Sequence, residues 1–453
     1  MCWFWNRLAF FTLTIVLPIS QSQAFAPFSS HCGSGYTKYL SDLNHVYKQQ
    51  SPLPKSNVIL HLAKKTSKKK KTGASSTVGI KGFGSGGSSV STSSKPQKKA
   101  ASYEIDRSKS SLDFYDYINK QGGGANLKRV ALGHFPLGDT GMKIRGVVAM
   151  KPIPKGELIL SIPYEMAINL GQEGDDPTIP AVTLLEVLCD TERDGYDDLA
   201  PYLTMLPKFR GRDCLGSTDF FSDKALSALQ FPIIYEETVK RRKASQSRYQ
   251  SEKEKLQKLQ WKKEYNDENG AESSQTFPNV IVEEHLQYAV WLITSRVLTV
   301  QGQAGSNKSY RLMIPFIDMC NHDRSSPHIL SGRAVPGGTL KIIAGRNVEA
   351  GEQINICYGG GVAGNDRFVQ DYGFLDWADE GYDIVARQLL GRQRVIEGGG
   401  ITPTQRDEVI EKLKYSSQKE DEELLARGGM QIDEVSAVQF RLGVKKSLEK
   451  YEQ

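Results

Sequence analysis

Two short stretches hold the residue types best suited to chemistry. The first reads Ile314-Pro315-Phe316-Ile317-Asp318-Met319-Cys320-Asn321-His322, and the second reads Gly351-Glu352-Gln353-Ile354-Asn355-Ile356-Cys357-Tyr358-Gly359. Asp318, His322 and Asp323 could ligate a metal, but three ligands on one loop have no partner set elsewhere. The six cysteines (Cys2, Cys32, Cys189, Cys214, Cys320, Cys357) lie far apart without a CxxC or CxC pair, so neither a structural zinc site nor a disulfide scaffold is expected. The glycine run Gly359-Gly360-Gly361 lacks the Lys-Ser/Thr ending of a phosphate loop. Tyr358 and Tyr372 read on their own as core tyrosines with satisfied hydroxyls. Tyrosine is also a poor general base at a reference pKa of about 10.

These residues must be held by elements that the apolar pattern predicts. Val282, Leu286, Ala289, Ile293 and Val297 recur at helix spacing and define one buried face. Arg296 sits beside that face, where an arginine snorkels or pairs with a core carboxylate. Strands are predicted at Val147-Val148-Ala149 and Leu158 to Pro163, joined through a turn at Pro154-Lys155-Gly156. Further strands are predicted at Arg311 to Pro315, Leu340 to Ala344 and Gln353 to Tyr358. In the last of these Ile354, Ile356 and Tyr358 share a face. Ser111 to Lys120 suits a short helix ended by Gly122-Gly123-Gly124, and Asp366 to Tyr372 one or two helical turns closed by Gly373. Helical patterns dominate Ile179 to Val300, with Lys240 to Glu272 read as a solvated helix or loop. A β-rich region split by a helical insertion (about 178–300) is an α+β pattern, unlike alternating βαβ. A charged helical tail follows over 377–453, with Gly/Pro breaks from Gly398 to Pro403.

In combination, Asp-Met-Cys-Asn-His followed by a Gly-Glu-x-Ile-x-Ile-x-Tyr-Gly strand resembles the SET-domain protein methyltransferases. The class resembled contains the RuBisCO large-subunit methyltransferase and the actin-histidine methyltransferase. The resemblance extends over Arg145-Gly146-Val147-Val148-Ala149, Gly156-Glu157, Ile162-Pro163, Ser295-Arg296, Asn365-Asp366 and Asp371-Tyr372-Gly373-Phe374. It implies a threaded, knot-like SET domain at 102–376, S-adenosylmethionine as cofactor, and a short helical substrate-binding-like region after it. It also assigns roles. Tyr358 and Tyr372 would line the methyl-transfer channel. Asn321 and His322 would grip the cofactor, the latter through its backbone. Arg296 would meet the cofactor carboxylate, with Asp318 pairing with it or capping the segment. Arg145 and Gly146 would border the cofactor.

Such chemistry needs a neutral nucleophile aligned with the methyl carbon. A free lysine with pKa about 10.4 is neutral at pH 7 in only about one molecule in 2,500, a handicap near 4.6 kcal/mol. An apolar channel and an adjacent sulfonium both lower that pKa. The expected function is S-adenosylmethionine-dependent methylation of a protein lysine. A histidine target remains open. So does a catalytically silent SET fold acting as a protein-binding module, because the family's acidic-Gly-x-Gly-Leu loop is here Lys143-Ile144-Arg145-Gly146-Val147.

Charge distribution addresses the partner. The first 101 residues hold 14 Lys and Arg against one acid, Asp42, so the other 352 carry −7 within a total of +6. The isoelectric point of 8.7 therefore reflects the leader and gives no ground for nucleic-acid binding. Met1 to Ala24 reads as a signal peptide: Arg7, the apolar run Leu8 to Leu17, and Ser22-Gln23-Ala24 as cleavage site. Residues 25–101 follow as a transit-like, Gly/Ser-rich stretch with too little apolar surface to fold. The pair resembles the bipartite presequence of complex plastids. The expected partner is thus a plastid protein, the large subunit of RuBisCO or another plastid enzyme. No stable membrane span is expected from so short an apolar run, and the oligomeric state is left unassigned.

Overall fold

The computed structural model describes residues 26–27, 103–136, 143–190, 192, 195–210, 216–261, 280–376, 378–392 and 401–452. Apart from Ala26–Pro27, the signal and transit segments lie outside these residues, as do residues 398–400 of the Gly/Pro break.

Strands are numbered along the chain: β1 Ala26–Pro27, β2 Glu104–Ile105, β3 Val130–Pro136, β4 Lys143–Ala149, β5 Leu158–Pro163, β6 Ile168–Gln172, β7 Leu298–Gln301, β8 Ser309–Met313, β9 Asn321–His322, β10 Ile329–Ser331, β11 Thr339–Ile343 and β12 Gln353–Ile356. They form three sheets ordered β1-β7-β8-β6, β10-β11-β5 and β2-β3-β4-β12-β9. Together with the helices they give an α+β fold.

The third sheet positions the chemistry. β12 runs antiparallel to β4, with Ile354 opposite Val147, and parallel to β9, with Asn355 opposite Asn321 and Ile356 opposite His322. The two stretches singled out above are therefore neighbours, although some thirty residues separate them. Ile354 and Ile356 alternate into the core beside Val147 and Val148. A one-residue slip would turn both isoleucines to the opposite face, so burial fixes the register. The strand is shorter than its pattern predicts. It ends at Ile356, and Tyr358 opens a turn over Tyr358–Gly361.

The first helix spans Lys109–Ile118, where Ser108 caps the Ser111 amide, and Gly122 at φ 85° ends the helical path. Helix Glu283–Arg296 is buried beyond the single face its apolar spacing predicts. Leu286, Ala289 and Ile293 are joined by His285, Tyr288, Val290, Trp291 and Leu292, because helices Thr178–Cys189 and Pro232–Ser251 both pack on it. The charged stretch from Lys240 is also more than a solvated helix. Thr238, Arg241, Ser245 and Tyr249 form a buried polar stripe at helical spacing.

A second apolar cluster joins the inserted helices to the C-terminal ones: Leu226, Phe231 and Ile234 meet Val385, Leu389, Val409, Phe440 and Val444. The tail helices Pro403–Leu413 and Gln418–Arg427 each begin with a capping box, Thr402/Gln405 and Ser417/Glu420. Their charge is anchored by Asp421, whose carboxylate is wholly buried between Arg441 and Lys445, each at 2.6 Å.

Candidate active site

A cavity of about 310 Å³ opens where β4, β9, the end of helix Glu283–Arg296 and the turn after β12 converge; Arg145, Trp291, Arg296, Asp318, Asn321, Tyr358, Tyr372 and Phe374 line it. Of the residues predicted for the site, Arg145, Arg296, Asp318, Asn321, Tyr358 and Tyr372 thus share one wall system. Gly146 supports it from beneath, and the His322 ring stands just behind.

One end is polar. Arg296 Nη1 lies 3.5 Å from Asp318 Oδ2 and donates to the Asp318 carbonyl at 3.1 Å, so the arginine pairs with a core carboxylate as its helix position implied. Tyr202, fully buried, donates to the same carboxylate at 2.9 Å. Burial raises the Asp318 carboxyl above its ordinary range, and Arg296 and Tyr202 offset this only in part. Arg145 donates to the Met205 carbonyl. Two guanidinium groups against one carboxylate leave this end positive, which suits an anionic ligand group.

Asn321 donates from Nδ2 to the Arg145 carbonyl at 3.0 Å. That contact depends on Gly146. A Cβ there would stand 2.7 Å from Asn321 Nδ2 and 2.5 Å from Gln353 Nε2. Glycine is required here for close approach between β4 and β9, not for a special φ.

The other end is aromatic. Tyr358 and Tyr372 stack with centroids 5.1 Å apart at 27°, and Phe374 closes the corner at 6.4 and 5.8 Å from them. The Tyr358 hydroxyl donates to the Cys320 carbonyl at 2.5 Å. Burial pushes its pKa well above the usual tyrosine value, so it stays protonated. Gly373, at φ 81°, makes the sharp exit between Tyr372 and Phe374, and a Cβ there would meet the Gly216 carbonyl oxygen at 2.1 Å.

His322 acts through its ring. Nδ1 accepts the Tyr358 backbone N–H at 3.0 Å, and Nε2 lies 3.6 Å from Asp376 Oδ2. This requires a neutral imidazole with its proton on Nε2. Burial alone would raise the Asp376 carboxyl; His322, the Ala378 amide and Arg324 outweigh it and bring it down to about 2.

Local pattern missed four residues here. Trp291 reads as core but points into the cavity one turn before Ser295, whose hydroxyl donates to the Trp291 carbonyl at 2.7 Å. Phe374, two residues after Tyr372, carries no polar group that would mark it in the sequence. Tyr202 and Arg324 carry no local signal. Among the described residues no His/Cys/Asp/Glu cluster could hold a metal, and Cys189, Cys320 and Cys357 are free thiols. No helix among them is long and apolar enough to cross a membrane.

Comparison with known proteins identifies a domain within the chain. The family model described as SET domain matches residues 144–359. A search of the curated proteins finds no match. Among solved structures, the crystal structure of the SET domain of LSMT bound to lysine and AdoHcy superposes with a TM-score of 0.50 at 15% identity, covering 75% of this chain and 89% of that one. The structure of Rubisco LSMT bound to AdoMet gives a TM-score of 0.49 at 15% identity, covering 76% and 90%. At such identity the likeness is one of fold. The strand pairing that joins β4, β12 and β9 falls within the matched segment, and the chain therefore carries a SET domain over residues 144–359.

Proposed function

We propose that the protein transfers a methyl group from S-adenosylmethionine to the side-chain amine of a lysine in a plastid protein. The observation that carries this reading is the two-ended cavity: a positive, amide-lined end and a tyrosine-walled end meet within about 310 Å³. The residues present fit the cofactor. Arg145, Arg296 and Asn321 suit its carboxylate and amino groups. The cradle at Gly146, where a Cβ would crowd the Asn321 amide, keeps that amide close. When bound, S-adenosylmethionine supplies an electrophilic methyl group on a sulfonium.

The chain's own residues would do the rest. Tyr358 has spent its proton on Cys320, so its oxygen lone pairs are left to accept an N–H from an incoming amine and orient the nitrogen lone pair. Tyr372 and Phe374 give that amine an aromatic wall that offers no carboxylate. Asp318 is held by Arg296 and Tyr202 and gives the amine no free carboxylate with which to stay charged. The walls thus favour the neutral amine and, through their π faces, tolerate the cationic product. The plastid address rests on the signal-plus-transit composition of residues 1–101.

The test is to incubate the protein with plastid extract and methyl-labelled S-adenosylmethionine and to sequence the labelled peptide. Label on the ε-nitrogen of a lysine is expected. Label on histidine would reassign the target, and binding of the cofactor without any label would favour the silent binding module.

A further inference from the structure

We propose that Arg324 is a positioning residue that sets the spacing between the Tyr358 and Phe374 walls by clamping the glycine turn that follows Tyr358. Its part in methyl transfer rests on the function proposed above; its part in holding the turn does not.

The turn is costly to hold. Gly359 and Gly360 both take φ 60°, and Gly361 takes φ 79°. Three successive left-handed glycines fix a stretch that has more conformational freedom to surrender than any other sequence of its length. Something outside the turn must favour this conformation over the alternatives.

Arg324, two residues beyond β9, meets that need with every edge of its guanidinium. Nη1 donates to the Gly361 carbonyl at 3.0 Å and Nη2 to the Ala363 carbonyl at 2.8 Å. Nε donates to Asp376 Oδ2 at 2.7 Å. The plane lies 5.3 Å from the centre of the Phe368 ring. The side chain is 11% exposed.

The two sets of contacts belong to the two walls that meet at the aromatic corner. Gly361 and Ala363 follow Tyr358 by three and five residues, and Asp376 follows Phe374 by two. The same Asp376 oxygen faces His322 Nε2, and the His322 ring accepts the Tyr358 amide. One planar group therefore ties both aromatic walls to the strand that carries Asn321. Lysine can substitute only in part, because a single ammonium cannot reach three acceptors in one plane.

The experiment compares Arg324→Ala and Arg324→Lys with the unaltered protein by hydrogen exchange and by transfer kinetics on plastid extract. In Arg324→Ala the amides of Tyr358 and Val362 should exchange about tenfold faster or more, with β11 unchanged. The maximal transfer rate should fall about tenfold or more while the KM for S-adenosylmethionine moves less than about threefold. Arg324→Lys should lie between, and serves alone should the alanine variant fail to fold. Unchanged exchange at residues 358–362, or a loss confined to KM, would overturn the assignment. Absence of transfer in the unaltered protein would count against the proposed function, and the exchange comparison would still decide whether Arg324 holds the turn.

Discussion

The hydroxyl of Tyr358 and the backbone carbonyl of Cys320 are joined by a 2.5 Å hydrogen bond, which locks the end of one chemistry-bearing stretch onto the residue before Asn321. The bond sets the direction of the phenol: its proton faces the protein and its lone pairs face the cavity. Tyr358→Phe keeps the ring but removes those lone pairs together with the bond to the Cys320 carbonyl. It is expected to bind S-adenosylmethionine as the unaltered protein does and to lose about a hundredfold in transfer rate. Turnover equal to that of the unaltered protein would remove Tyr358 from the chemistry.

Gly146 is where the fold and the ligand site share one atom's worth of space. In Gly146→Ala the new methyl would stand 2.7 Å from the Asn321 amide and 2.5 Å from that of Gln353. Both are flexible side-chain ends, so the chain should fold, but Asn321 must leave the Arg145 carbonyl. Calorimetry is expected to show about a tenfold weaker affinity for S-adenosylmethionine, of the order of one charge-assisted hydrogen bond, with a melting temperature within a few degrees of the original. Unchanged affinity would show that the Asn321 contact is not needed.

Much of this site can be read along the chain, and the limits of that reading have physical causes. β11 and β12 announce themselves because alternate residues enter the core, and β4 and β5 because they carry short continuous apolar runs. Helix Glu283–Arg296 does so through its 3.6-residue period. What local pattern cannot hold is a partner far along the chain. Arg241 looks like one more charge in a solvated stretch, yet its guanidinium meets Asp219 at 2.8 Å and Asp371 at 2.7 Å, both buried. Arg324 hides for the same reason, since its acceptors lie 37 to 52 residues downstream. The parallel pairing of β9 and β12 has no periodic signature either; only the joint occurrence of the two stretches hinted at it.

Arg241 also holds the second tyrosine. It donates to the Gln370 carbonyl at 2.7 Å as well as to Asp371, directly before Tyr372. Burial opposes its charge, but the two carboxylates outweigh that and raise its pKa above the usual arginine value. Arg241→Met leaves two buried acids short of their cation and should cost about 3–5 kcal/mol, read from urea unfolding. Adding Asp219→Asn and Asp371→Asn should recover a substantial part. A loss below about 1 kcal/mol would contradict the buried-pair account.

His285 gives the fold a pH dependence. Its ring is fully buried, stacked 4.1 Å from Phe209 at 25°, and Nδ1 accepts the Val282 amide at 3.1 Å. Burial pulls its pKa down to about 4. Between pH about 6.5 and 4 the unfolded chain takes a proton that the folded chain refuses, so stability is full above that window and falls through it, by about 3 kcal/mol in all. His285→Asn keeps an acceptor near the Val282 amide but cannot titrate. Urea midpoints measured from pH 7 to 4 should fall less steeply in this variant, and an identical slope would assign the dependence to other groups.

The central claim is that the cavity bounded by Arg296, Asn321 and Tyr358 receives S-adenosylmethionine, and titration calorimetry tests it most directly. The account predicts saturable binding of one molecule per chain, weakened about tenfold or more by Asn321→Ala or Arg296→Ala. A flat response from the unaltered protein, or binding that neither substitution alters, would contradict it.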